Sequence, residues 1–134
     1  MDLIFASELI FKRTKFLIMN QLVNYVQLIG NLGQEPELQT TQNKNAMLKL
    51  SLATSENYLD KSGNWQSKTD WHNLICWGQL AERMAKSLQK GDQILVRGKL
   101  QHRKYEDDKG HTRYYTQVHV NSYMRMKQRA AVTA

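Results

Sequence analysis

Residues 69–88 read Thr69-Asp70-Trp71-His72-Asn73-Leu74-Ile75-Cys76-Trp77-Gly78-Gln79-Leu80-Ala81-Glu82-Arg83-Met84-Ala85-Lys86-Ser87-Leu88, and their period changes partway along. Up to Trp77 the pattern is that of a strand, whose side chains alternate between two faces. Trp71, Asn73, Ile75 and Trp77 share one face, and His72, Leu74 and Cys76 share the other. From Gln79 onward Leu80, Met84 and Leu88 recur every four residues, with Ala81 and Ala85 beside them. That spacing predicts one amphipathic helix of about ten residues, stopped near Gly91.

Upstream of this stretch the chain alternates. Val26, Leu28, Gly30 and Leu32 share a strand face, and the segment from Gly33 to Pro36 ends that strand. Leu48, Leu50 and Leu52 alternate with Met47, Lys49, Ser51 and Ala53. Asp60-Lys61-Ser62-Gly63-Asn64 has the composition of a hairpin turn. Downstream, Ile94, Val96, Gly98 and Leu100 face one way, and Leu95, Arg97, Lys99, Gln101, Arg103 and Tyr105 the other. A second turn, Asp107-Asp108-Lys109-Gly110, leads to Tyr114, Thr116, Val118 and Val120. The order is therefore three strands, one short helix and two strands. This is an all-β class, a five-stranded Greek-key barrel with one helix, the OB-fold. A ferredoxin-like sandwich would need a second helix in this region, and the pattern provides none.

The chain has 134 residues, about one domain's worth, with 41% hydrophobic and 23% charged residues. Its uncharged apolar runs fall well short of the ~20 residues that span a bilayer, so no membrane role is expected. Nineteen Lys and Arg against twelve Asp and Glu leave +7, a balance that suits a polyanionic partner. The lone cysteine, Cys76, excludes an intrachain disulfide and a Cys-rich zinc site, and a reducing cytoplasm fits it best.

Residues 1–18 read differently. Leu3, Ile4, Phe5, Leu9, Ile10, Phe11, Phe16, Leu17 and Ile18 are interrupted by Lys12, Arg13 and Lys15. A signal peptide would carry its basic residues first and a small-residue cleavage site last, and a transit peptide would avoid Asp2 and Glu8. The expectation is a leader over residues 1–19, unstructured or lying upstream of a start at Met19, with an extra strand or helix as the alternative. Residues 20–126 are the expected OB-fold domain, and residues 127–134 a short, frayed basic end.

A small barrel has one inside. If Leu74 and Cys76 point inward, Trp71 and Trp77 point outward, where exposed aromatics in line need a cover. The bases of single-stranded nucleic acid could provide it, at roughly 1–3 kcal/mol per stacked base; another subunit could do so too. The face carrying Arg97, Lys99, Arg103 and Tyr105, with Tyr58, Lys61, Trp65 and Lys68 on the long hairpin, interleaves cations with rings. Cations neutralise phosphates and rings accept any base, so such a groove has little sequence preference. Lys49, Lys61, Lys68, Arg97, Lys99, Arg103 and Lys104 are the candidate phosphate contacts, although period two sends Lys104 inward unless its strand bulges.

Several segments then follow in a fixed order. They are Val26-Gln27-Leu28-Ile29-Gly30-Asn31-Leu32-Gly33, Ser51-Leu52-Ala53-Thr54-Ser55-Glu56, Trp71-His72, Gly78-Gln79-Leu80-Ala81-Glu82, Lys90-Gly91 and Gly98-Lys99-Leu100. Over about residues 20–126 the chain resembles the bacterial single-stranded DNA-binding protein family. That resemblance implies a homotetramer that coats and protects single-stranded DNA in replication, recombination and repair, in the bacterial cytoplasm at the nucleoid. It implies base stacking on Tyr58, Trp71, Trp77 and Tyr105, where the family often has Trp, Trp, Phe and Trp. It also implies a subunit-interface position for His72, for which a hydrogen-bonded, semi-buried histidine is the alternative. The family commonly begins where Met19 stands. It commonly ends in an acidic tip that recruits replication and repair enzymes. Here Arg125-Met126-Lys127-Gln128-Arg129 precedes only small residues, so recruitment by that route is not expected.

Other classes fit less well. Asp70, His72 and Cys76 lie two or four residues apart on one strand, roughly 7–13 Å, too far for a hydrogen-bonded nucleophile and base. His72, His102, His111 and His119 lack ligand spacing, and no glycine-rich phosphate loop is present. No enzyme activity, metal or cofactor is expected. A dimeric primosomal-type OB adaptor of replication restart (primosomal replication protein N) is the alternative binding reading. A cold-shock-type RNA binder and a purely structural assembly protein are more distant ones.

Overall fold

The computed structural model describes residues 2–128. It contains strands β1 (Val26–Leu32), β2 (Glu37–Thr40), β3 (Ala46–Leu59), β4 (Trp65–Trp77), β5 (Gln93–Glu106) and β6 (Thr112–Lys127). Helix α1 (Leu3–Val23) precedes them, and helix α2 (Gly78–Ser87) lies between β4 and β5. The strands pair in the order β1-β5-β6-β4-β3-β2, and β1 also pairs with β3. That last pairing, Asn31 opposite Ala53 and Leu32 opposite Leu52, closes five strands into a barrel. Strand β2 hangs outside the ring on β3. All neighbours are antiparallel except β4 and β6. This is the expected OB-fold.

The period-two leucines fill the interior. Leu48, Leu50 and Leu52 of β3, Leu74 and Cys76 of β4, Ile94 and Val96 of β5, and Val118 and Val120 of β6 are buried together. Helix α2 adds Ala81 and Met84, and the following Leu88 joins the same cluster. Burial pushes the Cys76 thiol above its ordinary value, as for a structural cysteine rather than a nucleophile. Two glycines sit where strands approach too closely for a side chain. A Cβ on Gly30 would lie 2.2 Å from the Ala53 carbonyl oxygen, and one on Gly98 would lie 2.0 Å from that of His119. At Gly98 the β5–β6 register also shifts: Arg97 faces Ser122 while Gly98 faces Val120, leaving Asn121 without a partner in the ladder.

Beyond the barrel, the β3–β4 and β5–β6 hairpins continue as exposed arms. Their turns share one design. Asp60 accepts from the Ser62 and Asn64 amides and the Gln66 side chain. Asp107 accepts from the Lys109 and His111 amides and the Arg113 guanidinium. Gly63 and Gly110 supply the positive φ that each turn requires.

Three features depart from expectation. Strand β2 went unread because Glu37-Leu38-Gln39-Thr40 has no apolar alternation; all four are exposed and held by backbone pairing to β3. Strand β6 runs on to Lys127. Leu3–Val23 takes the helical alternative to an unstructured leader, and it continues past the expected boundary at residue 19 without burying any side chain. Asp2 caps it by accepting from the Ile4 amide. At its other end, the Asn24 side chain donates to the Leu100 carbonyl and accepts the Leu100 amide, both at 2.9 Å, and so extends the β1–β5 ladder by one rung. Within the expected basic end at 127–134, residues 129–134 lie outside the described residues.

Gly98→Ala should destabilise the fold by about 1–3 kcal/mol, because a backbone carbonyl must move to admit the methyl group; chemical denaturation measures it. The two turn aspartates give a pH prediction. Backbone N–H groups, chiefly of Asn64 and His111, hold the Asp60 and Asp107 carboxyls below the ordinary 3.8. Their contribution is complete above 3.8 and is lost as pH falls through the lower folded-state values. Amide proton shifts of Ser62, Asn64, Lys109 and His111 should titrate with midpoints below 3.8. Midpoints at or above that value would mean that the caps are not formed.

Candidate nucleic-acid interface

Because the leucines point in, the odd-numbered residues of β3, β4, β5 and the first part of β6 point out, and the registers place them side by side. Lys49 pairs with Ile75, Ala53 with Trp71 and Met47 with Trp77. Ile75 pairs with His119, Lys99 with His119, Gln101 with Gln117 and Arg103 with Tyr115. One continuous outer face thus carries Trp71, Trp77, Tyr105 and Tyr115 among Lys49, Lys99 and Arg103. Trp71 is 62% exposed and Trp77 37%, so both rings have open surface. The Trp71 ring rests on Gly33, where a Cβ would stand 2.4 Å from the ring edge. The glycine is a seat that fixes the ring without covering its outer side.

Below the rings the face is packed. Ile75 and Gln117 are buried despite their outward parity. Gln117 donates to Gln101 at 3.3 Å, and the Gln101 amide lies 3.4 Å from the His119 ring. Burial, together with the charges of Lys99 and Arg103, pushes the His119 imidazole below its ordinary value. The register sets Lys99 opposite His119 and Arg103 opposite Tyr115, so both cations add positive potential to this part of the face.

The remaining site residues expected from sequence are placed as follows. Arg97 shares the outer face but is held by Gln27, to which its Nε donates at 3.1 Å, and by the Tyr25 ring 5.9 Å away. Lys61 lies in the turn at the tip of the β3–β4 arm. Tyr58, Lys68 and Lys104 are exposed, but their register gives them the parity of the barrel interior, on the other side of their ribbons from Trp71 and Tyr105. The β5–β6 bulge leaves its extra residue on β6, so it does not turn Lys104 outward. His72 also has interior parity; it is half-buried, with Nε2 2.8 Å from the Thr54 hydroxyl. Sequence reasoning missed Tyr115, Gln117, His119 and the Gly33 seat. The signal for the first three was present, since Val118 and Val120 pointing inward send residues 115, 117 and 119 outward. The contact between Gly33 and Trp71 had no signal in sequence. Among the described residues, no group of His, Cys, Asp and Glu could hold a metal ion.

A family model described as "Single-strand binding protein family" matches residues 23–126. The chain is 41% identical over 97 residues to the "Single-stranded DNA-binding protein 1" of Chlorobaculum tepidum, covering 72% of this chain and 60% of that relative's length. Among solved structures it resembles a Plasmodium falciparum SSB in complex with ssDNA, with TM-score 0.70 and 27% identity, over 78% of this chain and 95% of that one. It also resembles a deletion mutant of the single-stranded DNA binding protein from Thermus aquaticus, with TM-score 0.68 and 32% identity, over 78% of this chain and 50% of that one.

Gly33→Ala should unseat the Trp71 ring while leaving the barrel folded. The expected result is a changed tryptophan emission spectrum with an unchanged far-ultraviolet circular dichroism spectrum. An unchanged emission spectrum would mean that the ring does not rest there.

Proposed function

Since the chain belongs to the Single-strand binding protein family, we propose that it binds single-stranded DNA without sequence preference. The observation that carries this reading is the row of exposed tryptophans in line on one strand, Trp65, Trp71 and Trp77, with Lys99 and Arg103 opposite His119 and Tyr115 on the same outer face. Trp71, Trp77 and Tyr105 stack bases, and Lys49, Lys99 and Arg103 neutralise phosphates along the outer face. Tyr58, Lys61, Lys68 and Lys104 serve strand that wraps around the arms, and Arg97 joins when phosphate displaces Gln27. The protein acts by occupancy and not by chemistry: it coats and protects single strands during replication, recombination and repair.

The assembly we propose is a homotetramer, with His72 near a subunit contact, acting in the cytoplasm. No helix among the described residues is long and apolar enough to cross a membrane. Native mass spectrometry gives the subunit count directly, and a mass other than four chains would overturn the tetramer.

Titration with long oligo-dT should quench the tryptophan fluorescence, and duplex DNA should not. With about five phosphates neutralised, log affinity should fall against log salt with a slope near −3.5. Trp71→Ala should cost about 1–3 kcal/mol of binding while the protein stays folded. Neither quenching nor binding would overturn the reading; a salt slope near zero would overturn its electrostatic half.

A further inference from the structure

Tyr115 faces outward from β6, opposite Arg103 and diagonal to Tyr105 in the register. Its ring centroid lies 5.9 Å from that of Tyr105, and the two ring planes are tilted by 58°. Tyr115 also lines a shallow hollow with Lys49, Asn73 and Gln117, so it spans the ground between Tyr105 and the tryptophan strand β4. It is 39% exposed, close to the value for Trp77. The surroundings of an open ring beside cations are those of Trp71, Trp77 and Tyr105, yet no sequence motif marks this position.

We infer that Tyr115 is a further base-stacking residue, taking the nucleotide next to the one on Tyr105; this rests on the single-stranded DNA reading above. The ring geometry decides how the pair is used. Sandwiching a base between two rings needs parallel planes about 7 Å apart, two stacking steps of ~3.4 Å. A tilt of 58° at 5.9 Å closes that gap. Each ring therefore offers its own outer face, and the two faces point in different directions. Successive bases meet them as the strand turns from the β5–β6 arm toward β4. Edge contact between the rings holds each without a long side chain to order, which lowers the entropy lost on binding. Arg103 and Lys49 flank the pair where the intervening phosphates run.

The test uses the full chain and an oligo-dT of ~16 nucleotides, the upper end of the site size for one OB-fold. Tyr115→Ala should weaken binding about 5- to 140-fold, the equivalent of one stacked base. Tyr115→Phe, which keeps the ring, should bind within about twofold of the original chain. The loss from Tyr115→Ala should persist in a Tyr105→Ala background. Cross-linking of the unmodified chain to oligonucleotides carrying 5-iododeoxyuridine should yield a Tyr115-containing adduct, a readout independent of any variant's folding. If the unmodified chain does not bind oligo-dT, the single-stranded DNA reading fails and this inference goes with it. If it binds but Tyr115→Ala binds equally well, the inference alone is overturned. A loss that vanishes when Tyr105 is already Ala would make Tyr115 a prop for Tyr105, and no Tyr115 adduct would mean that no base reaches it; either result overturns the inference.

Discussion

One strand holds the molecule closed. β1 pairs with β5 along its length and, at Asn31 and Leu32, with β3, closing the ring and leaving β2 outside it. The closure depends on a close approach at Gly30, where any Cβ would strike the Ala53 carbonyl. Once the ring is closed, every paired strand has an inside and an outside, and the inside has room for one set of side chains. The leucines, valines and isoleucine of alternate positions take it. The aromatics and cations of the intervening positions have nowhere to go but the outer face. The candidate interface is thus a consequence of the core's parity.

That face is neither a loose polar surface nor a bare sheet. Ile75 and Gln117 are buried beneath it, so the rings stand on a packed floor. Gly33 seats Trp71, the Tyr105–Tyr115 contact braces the far side, and Gln27 with Tyr25 restrains Arg97. Side chains held before binding lose less freedom when a flexible strand is laid on them. The cations are less constrained: among the described residues the Lys or Arg ion pair found is that of Arg113 with Asp107, at the tip of the β5–β6 arm. Lys49, Lys99 and Arg103 stand clear of it.

Legibility in the sequence followed burial. Where one face is core, the alternation of Leu48, Leu50 and Leu52 or of Ile94 and Val96 is unmistakable, and the helix with Leu80, Met84 and Leu88 is equally plain. Where neither face is buried, the pattern carries no such information. Strand β2 is four exposed residues held by backbone pairing, and the outer halves of both arms are exposed on both sides. Helix α1 has apolar residues all round and rests on local propensity and the Asp2 cap, so no single buried stripe announces it. The site was legible to the same degree. Trp71 and Trp77 follow from parity, whereas Tyr58 comes from the composition of its hairpin and from resemblance, and its register places it on the other side of its ribbon.

The sequence by itself determined the five strands of the barrel in chain order, the position of the helix between β4 and β5, most of the core and the outward direction of Trp71 and Trp77. These depend on residues near one another in the chain, through periods of two and of about 3.6. Tertiary structure alone decided which outward residues become neighbours. The pairing of Lys99 with His119 and of Arg103 with Tyr115 depends on the β5–β6 register, displaced by a bulge that no local pattern marks. The seat of Trp71 on Gly33 joins residues 38 positions apart (71 minus 33). Period fixes the face a side chain takes, but closure and register fix its company, and the candidate interface is made of company.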